Sequence, residues 1–228
     1  MKKIFISLLI GFFIARIQAQ NSKMSIGLQG GVGYTHSYAI IPEPIFFGVC
    51  PSVAFLAGID LQYDLGKNFS LETDLSFERK GHKIPGEKWV SISTLDKYDL
   101  NYCTIGFLLR KAFQCKRMYW FINAGPFAAY LGSMFIRHFE YPGKESVWKM
   151  DFTSDYTRFD AGVTTGIGAG FRVAEKVKLS FEVKNNLGLM NICGYPENGW
   201  STKTYSAVFL TGVSCSMNEK TKRKTIEH

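Results

Sequence analysis

Phe69-Ser70-Leu71-Glu72-Thr73-Asp74-Leu75-Ser76-Phe77-Glu78 sets its apolar residues on one parity, with Thr73 among them, and its polar and charged residues on the other. Side chains along an extended strand point alternately to opposite faces. Ten residues of such alternation therefore read as a strand with one apolar side and one charged side. The same period recurs on either side of it. Met24, Ile26, Leu28, Val32 and Tyr34 oppose Ser25, Gly27, Gln29, Gly31 and Gly33. Val53 through Tyr63 oppose Ser52, Ala54, Gly58, Asp60, Gln62 and Asp64.

Further along, Cys103, Ile105, Phe107 and Leu109 share a parity, and Met118–Leu131 is apolar on both. Phe159 through Phe171 oppose Arg158, Asp160, Gly166, Gly168, Gly170 and Arg172, and Val177 through Leu189 oppose Lys178, Glu182, Lys184 and Asn186. Tyr205–Met217 carries apolar residues on both parities, which leaves its facing open. The connections alternate in length. Leu65–Asn68, Lys111–Arg117 and Ala174–Lys176 are short; His36–Pro51, Lys80–Asp96, Gly132–Thr157 and Asn191–Lys203 are long. A soluble sandwich could give the alternation but has no reason to sort its connections by end. Eight strands with short turns on one side and long loops on the other imply an all-β, eight-stranded antiparallel up-and-down transmembrane β-barrel. Aromatics near strand ends, at Tyr34, Tyr63, Phe69, Phe77, Phe159, Phe171 and Tyr205, fall where interfacial girdles sit.

The N-terminus fits an outer-membrane location reached by export. Lys2 and Lys3 precede the apolar run Ile4–Ile14, and Ala19 offers a cleavage site, so residues 1–19 read as a signal peptide. Ile17 departs from the small residue usual three positions before the cut. Residues 20–217 are then the barrel, and 218–228 a basic polar tail holding Lys220, Lys222, Arg223 and Lys224. The formal charge of +8 owes much to these two ends, and no basic patch is interleaved with aromatics, which argues against a nucleic-acid partner. Five cysteines, without C-x-x-C or zinc spacing, do not form a disulfide framework. Cys103 and Cys215 read as small apolar residues; whether Cys50 and Cys193 pair stays open.

The polar parity should face the lumen. Asp60, Glu72, Asp74, Glu78, Arg158, Asp160, Arg172, Glu182 and Lys184 are expected to form an interior network, since unpaired charge in a narrow low-dielectric space is costly. An eight-stranded barrel is only wide enough for side chains to fill, so a continuous pore is not expected. Glu72 and Asp74 share a face as a hydrolytic pair would, yet further charges repeat on that parity, which favours the structural reading. His36, His82 and His138 fall in expected outer loops without metal-ligand spacing. No G-x-S-x-G or phosphate-binding loop occurs, so no catalytic residue, metal ligand or cofactor is assigned. The longest and most aromatic connection, with Phe135, Phe139, Tyr141, Trp148 and Phe152, suits a binding surface or a lid.

Arg158-Phe159-Asp160-Ala161-Gly162, running on through Gly166-Ile167-Gly168-Ala169-Gly170, resembles a strand pattern of PorT-like outer-membrane β-barrel proteins. So do Asn186-Leu187-Gly188-Leu189-Met190-Asn191-Ile192 and Asn123-Ala124-Gly125-Pro126. Tyr102–Arg110 is a degraded version of another motif, with Gly106 where proline is usual. The resemblance covers about Met24 to Met217. It implies a small porin-family barrel of Gram-negative bacteria whose named member takes part in secretion across the outer membrane. The family supplies no catalytic residues. The basic tail departs from the aromatic C-terminus common in such barrels. The resulting expectation is a non-enzymatic, monomeric barrel in outer-membrane lipid, acting through outer loops on envelope or secretion proteins. Its rivals are a narrow channel for small solutes and a hydrolase at the rim.

Overall fold

In the computed structural model the described residues are 24–40, 49–89, 92–115, 118–141, 146–194 and 201–217. The expected signal peptide and the basic tail lie outside them. Nine strands follow one another: β1 (Met24–Ile40), β2 (Cys50–Gly66), β3 (Phe69–Trp89), β4 (Ile92–Cys115), β5 (Met118–Tyr141), β6 (Ser146–Asp151), β7 (Phe159–Arg172), β8 (Val177–Gly188) and β9 (Ser201–Ser216). All ladders are antiparallel. β1 to β5 form a meander, β5 pairs with β7, and β7, β8 and β9 continue it. β9 then pairs with β1 from Ser25↔Ser216 to Ile40↔Ser201, closing an eight-stranded ring. β6 stands outside the ring, hydrogen-bonded to the outer part of β5.

Closure leaves no backbone edge within the ring, the condition for a sheet to cross lipid. No helix among the described residues is long and apolar enough to do so. The outer wall shows the band that lipid requires. Leu28, Val32, Ile59, Leu75, Phe107, Ile122, Val163, Ile167, Val183 and Phe209 are all exposed, Leu28 by 67 %. A soluble protein rarely shows contiguous apolar surface beyond a few hundred Å²; here it runs round the ring. Cys103 and Cys215 are exposed on this wall, and all five cysteines are free.

The two strands whose facing the sequence left open are resolved by burial. On β5, Phe121, Asn123, Phe127, Ala129 and Leu131 point inward, while Trp120, Ile122 and Tyr130 meet lipid. On β9, Thr204, Ser206, Val208 and Leu210 point inward and Phe209 and Val213 outward. The turn from β2 to β3 holds Lys67 and Asn68 at φ 52 and 67. Two left-handed residues in a two-residue loop match the twist of the flanking strands.

Two of the expected long loops are instead largely strand. Lys80–Asp96 is the upper part of a β3–β4 hairpin, paired from Lys80↔Leu100 to Trp89↔Ile92. Gly132–Thr157 is the upper half of β5, all of β6, and a 3-10 turn at Thr153–Asp155. His82 and His138 therefore stand on strands, not in loops, and so does His36 of the expected His36–Pro51 loop, because β1 runs on to Ile40. Alternation fails here for a physical reason. Above the membrane both faces of the sheet meet water or other protein. A register shift at Gly132, where Asn101 pairs with Ser133 but Tyr102 with Leu131, also flips the parity, so that Leu131 and Met134 both turn inward. β4 and β5 have 24 residues against 12 in β8. At about 3.4 Å per residue and a tilt of about 40°, they rise about 30 Å further along the axis.

Candidate functional site

The lumen is filled in tiers. In the lowest, Arg110 on β4 reaches across from β3 to β8. Its Nη2 lies 2.5 Å from Glu72 Oε2 and 3.3 Å from Glu182 Oε2. The guanidinium lies over the Phe121 ring, 4.0 Å from its centroid. Asn123 Nδ2 donates to Glu182 Oε1 at 3.2 Å. Above it, Lys184 Nζ on β8 donates to Asp74 Oδ2 on β3 at 3.0 Å. Two neighbouring glycines make room for these carboxylates. A Cβ at Gly106 would lie 2.9 Å from Asp74 Oδ2, and one at Gly166 would strike Glu182 and Asn123. A side chain at Gly106, proline included, would displace Asp74.

The third tier is centred on Lys80, only 1 % exposed. Its Nζ donates to Thr204 Oγ1 at 3.3 Å and lies 3.6 Å from Glu78 and 3.9 Å from Asp160. It also lies over the rings of Tyr102 and Phe127, at 5.4 and 4.8 Å. Thr204 donates to Asp160 at 2.6 Å, and Glu78 accepts from Asn186 at 3.0 Å and from Ser206. Charge buried this deeply persists only when paired and hydrogen-bonded.

Above Lys80 the lumen turns apolar. Leu100, Tyr102, Phe127, Ala129, Leu131, Met134 and Ile192 form one buried cluster, with Tyr98, Ile136, Phe152 and Tyr156 against it. The 3-10 turn is pinned over this plug, since Met134 N donates to Thr153 Oγ1 at 2.9 Å and Phe152 N to Met134 O at 3.1 Å. Thr153 also donates to Asp151 through its hydroxyl and its amide, which holds the Asp151 carboxyl below the usual carboxylate range. Burial pushes the Tyr156 phenol above its usual range.

The residues expected in the interior thus divide. Glu72, Asp74, Glu78, Asp160, Glu182 and Lys184 meet in the tiers. Asp60 faces Asp74 across the β2–β3 ladder, within the field of Arg110 and Lys184. Arg158 and Arg172 stand apart. Arg158 sits at the entry to β7, where Nη1 donates to Leu131 O and Gly132 O at 3.2 and 3.4 Å. Arg172 ends β7 at the opposite mouth and is exposed. Their parity is inward, but their depth lies beyond the enclosed interior. Of the three cations that hold the tiers, Lys184 was expected there, while Arg110 and Lys80 escaped the sequence reading. Lys80 follows Glu78 at i+2, and that continuation of the charged parity was the available signal.

The five aromatics of the expected binding loop also divide. Trp148 is exposed by 39 % and stacks on His138, ring centroids 5.1 Å apart. His138 Nδ1 lies 2.6 Å from Asp96 Oδ1. Phe135 is half-buried beneath the Lys149 ammonium, 3.7 Å from ring centroid to Nζ. Phe139 is half-buried and Phe152 packs against the plug. Tyr141 ends β5, and its side chain lies outside the described residues. Arg137 binds Asp99 through Nε at 2.8 Å and through Nη2, bracing the outer sheet. Among the described residues no three His, Cys, Asp or Glu side chains gather as metal ligands.

A comparison with proteins of curated function finds no match. Among solved structures, the chain is similar to Neisserial surface protein A, with a TM-score of 0.47 and 12 % identity over 86 % of this chain and 97 % of that one. It is also similar to the outer membrane protein OprG of Pseudomonas aeruginosa, with a TM-score of 0.49 and 10 % identity over 87 % and 97 %. The model of the outer membrane protein beta-barrel domain matches residues 18–194, most of the chain. That match spans well over half of the sequence, and this chain belongs to the outer membrane protein beta-barrel domain family.

Proposed function

We propose that the protein is a non-enzymatic, PorT-like barrel, exported by the signal peptide at residues 1–19. It works as a monomer, presenting its outer sheet to an envelope or secretion protein. The observation that carries this reading is the sealed lumen. Tyr102, Phe127, Leu131 and Met134 close it above Lys80, and Thr153 caps it. A barrel so filled offers a solute no path. Its investment lies in the strands that rise beyond the rim, where β3, β4, β5 and β6 form a sheet with Trp148 and Met150 exposed on β6.

Two measurements test this. Purified wild-type protein in planar bilayers is expected to give no steady conductance; a large, stable, salt-proportional conductance would favour the channel reading instead. Tagged protein drawn from native envelopes is expected to bring down an envelope partner, and W148S/M150S to lose it while the barrel still migrates as folded on an unheated gel. Removal of the whole Gly132–Thr157 segment is the poorer test, since it would also remove Met134 and Thr153 and unseal the lumen. Retention of the partner by W148S/M150S would place the contact elsewhere.

A further inference from the structure

At the end with the short turns and both strand termini, the lumen opens into a vestibule of about 980 Å³. In outer-membrane barrels that end faces the periplasm. The floor is the Arg110 tier, and the wall carries an arrangement that the barrel itself does not need. Arg172 and Lys178 are direct partners across the β7–β8 ladder and both line the cavity. Like charges directly opposite destabilise a sheet pair. Neither forms an ion pair among the described residues; the Lys178 ammonium lies over the Tyr119 ring at 5.8 Å. Lys67 and Lys176 add positive charge from two separate turns of the same mouth. Of the two carboxylates on the wall, Asp64 accepts from the Gly66 amide at 2.8 Å and is the anion whose field reaches Lys178, and Glu175 lies on the turn beside Lys176, so the four cations outnumber the anions on the wall by two.

We propose that this vestibule binds an acidic peptide segment presented from the periplasm. The adjacent pair Arg172 and Lys178, with Lys67 and Lys176 on two separate turns, calls for several spaced carboxylates rather than one compact anion. The volume lies at the upper end of the range for sites that enclose whole ligands, far above the need of a single inorganic ion. Carboxylates set against Arg172 and Lys178 would form charge-assisted hydrogen bonds and relieve the cross-strand repulsion. The site is independent of the outer sheet, at the opposite end of the barrel.

The test uses the full chain in zwitterionic lipid nanodiscs, with fluorescein-labelled hexaglutamate as probe and inorganic phosphate as competitor. Fluorescence anisotropy is expected to show saturable binding that weakens with salt. R172Q/K178Q is expected to weaken it by at least about ten-fold, since charge-assisted hydrogen bonds are lost. Both residues lie outside the buried tiers, and heat-modifiable gel migration checks that the variant folds. K149Q, on the outer sheet, is expected to bind as the wild type does. No binding by wild-type protein, equal binding by R172Q/K178Q, or an equal loss in K149Q would each overturn the proposal. Displacement of the peptide by equimolar phosphate would overturn it in favour of a small-anion site.

Discussion

Replacing Lys80 by methionine keeps the volume and apolar stem of the side chain but removes the buried charge. Breaking a buried ion pair by deleting one partner costs about 3–5 kcal/mol, because the remaining charge stays buried. Here the lower end applies. The ammonium stands 3.6 and 3.9 Å from the two carboxylates, beyond hydrogen-bond length. Without it, Glu78 keeps Asn186 and Ser206, and Asp160 keeps Thr204. A loss of about 3 kcal/mol, at a urea dependence of about 2 kcal/mol per molar, moves the unfolding midpoint down by about 1.5 M. Urea titration in lipid vesicles, read by unheated gel migration and tryptophan emission, measures it. K80M/E78Q/D160N, which removes the charges together, is expected to lie within about 1 kcal/mol of the wild type. A shift below about 0.5 M for K80M, or equal destabilisation of the single and triple variants, would refute the electrostatic account of this tier.

Three further outcomes are expected. Leu75→Arg and Val163→Arg, on the exposed wall, should each cost about 2–4 kcal/mol in the same titration, if mid-membrane burial of charge governs them; cost-free substitutions would overturn the facing of β3 and β7. Gly106→Val should cost about 1–3 kcal/mol by overpacking against Asp74, and less in a background carrying Asp74→Ala, which a double-mutant cycle reads directly. Cys103 on the lipid wall should resist a membrane-impermeant maleimide in vesicles yet react once the barrel is unfolded in urea, and labelling of the folded barrel would contradict its placement.

The sequence was legible where the two faces of a strand meet different surroundings. Phe69–Glu78 alternates because lipid lies on one side and paired charge on the other. β5 was not legible, because Trp120 and Ile122 meet lipid while Phe121 and Phe127 fill the lumen, and apolar residues serve both. Parity gives facing but not depth. Arg158, Arg172 and Glu182 share an inward parity, yet only Glu182 lies deep enough to join the tiers. The partner of a buried charge is likewise set across the lumen, as with Lys184 and Asp74, 110 residues apart, and no local pattern records it. The sheet beyond the rim has no lipid on its outer side, so the period that marks the barrel fades there.

The β1–β9 seam bears on how the barrel is made. Its first pair, Ser25↔Ser216, joins residues from opposite ends of the chain, so its loop-closure entropy is among the largest the chain can incur. Until those strands meet, both present rows of unpaired amides and carbonyls, and lipid cannot solvate them, at several kcal/mol for each group. A half-zipped sheet therefore has no stable resting place in the bilayer. Insertion and ring closure must proceed as one event, or the open edges must be held by another protein's strands until they meet. Weakening the seam should slow assembly far more than equal damage to the β2–β3 hairpin, whose turn brings its strands together from the start.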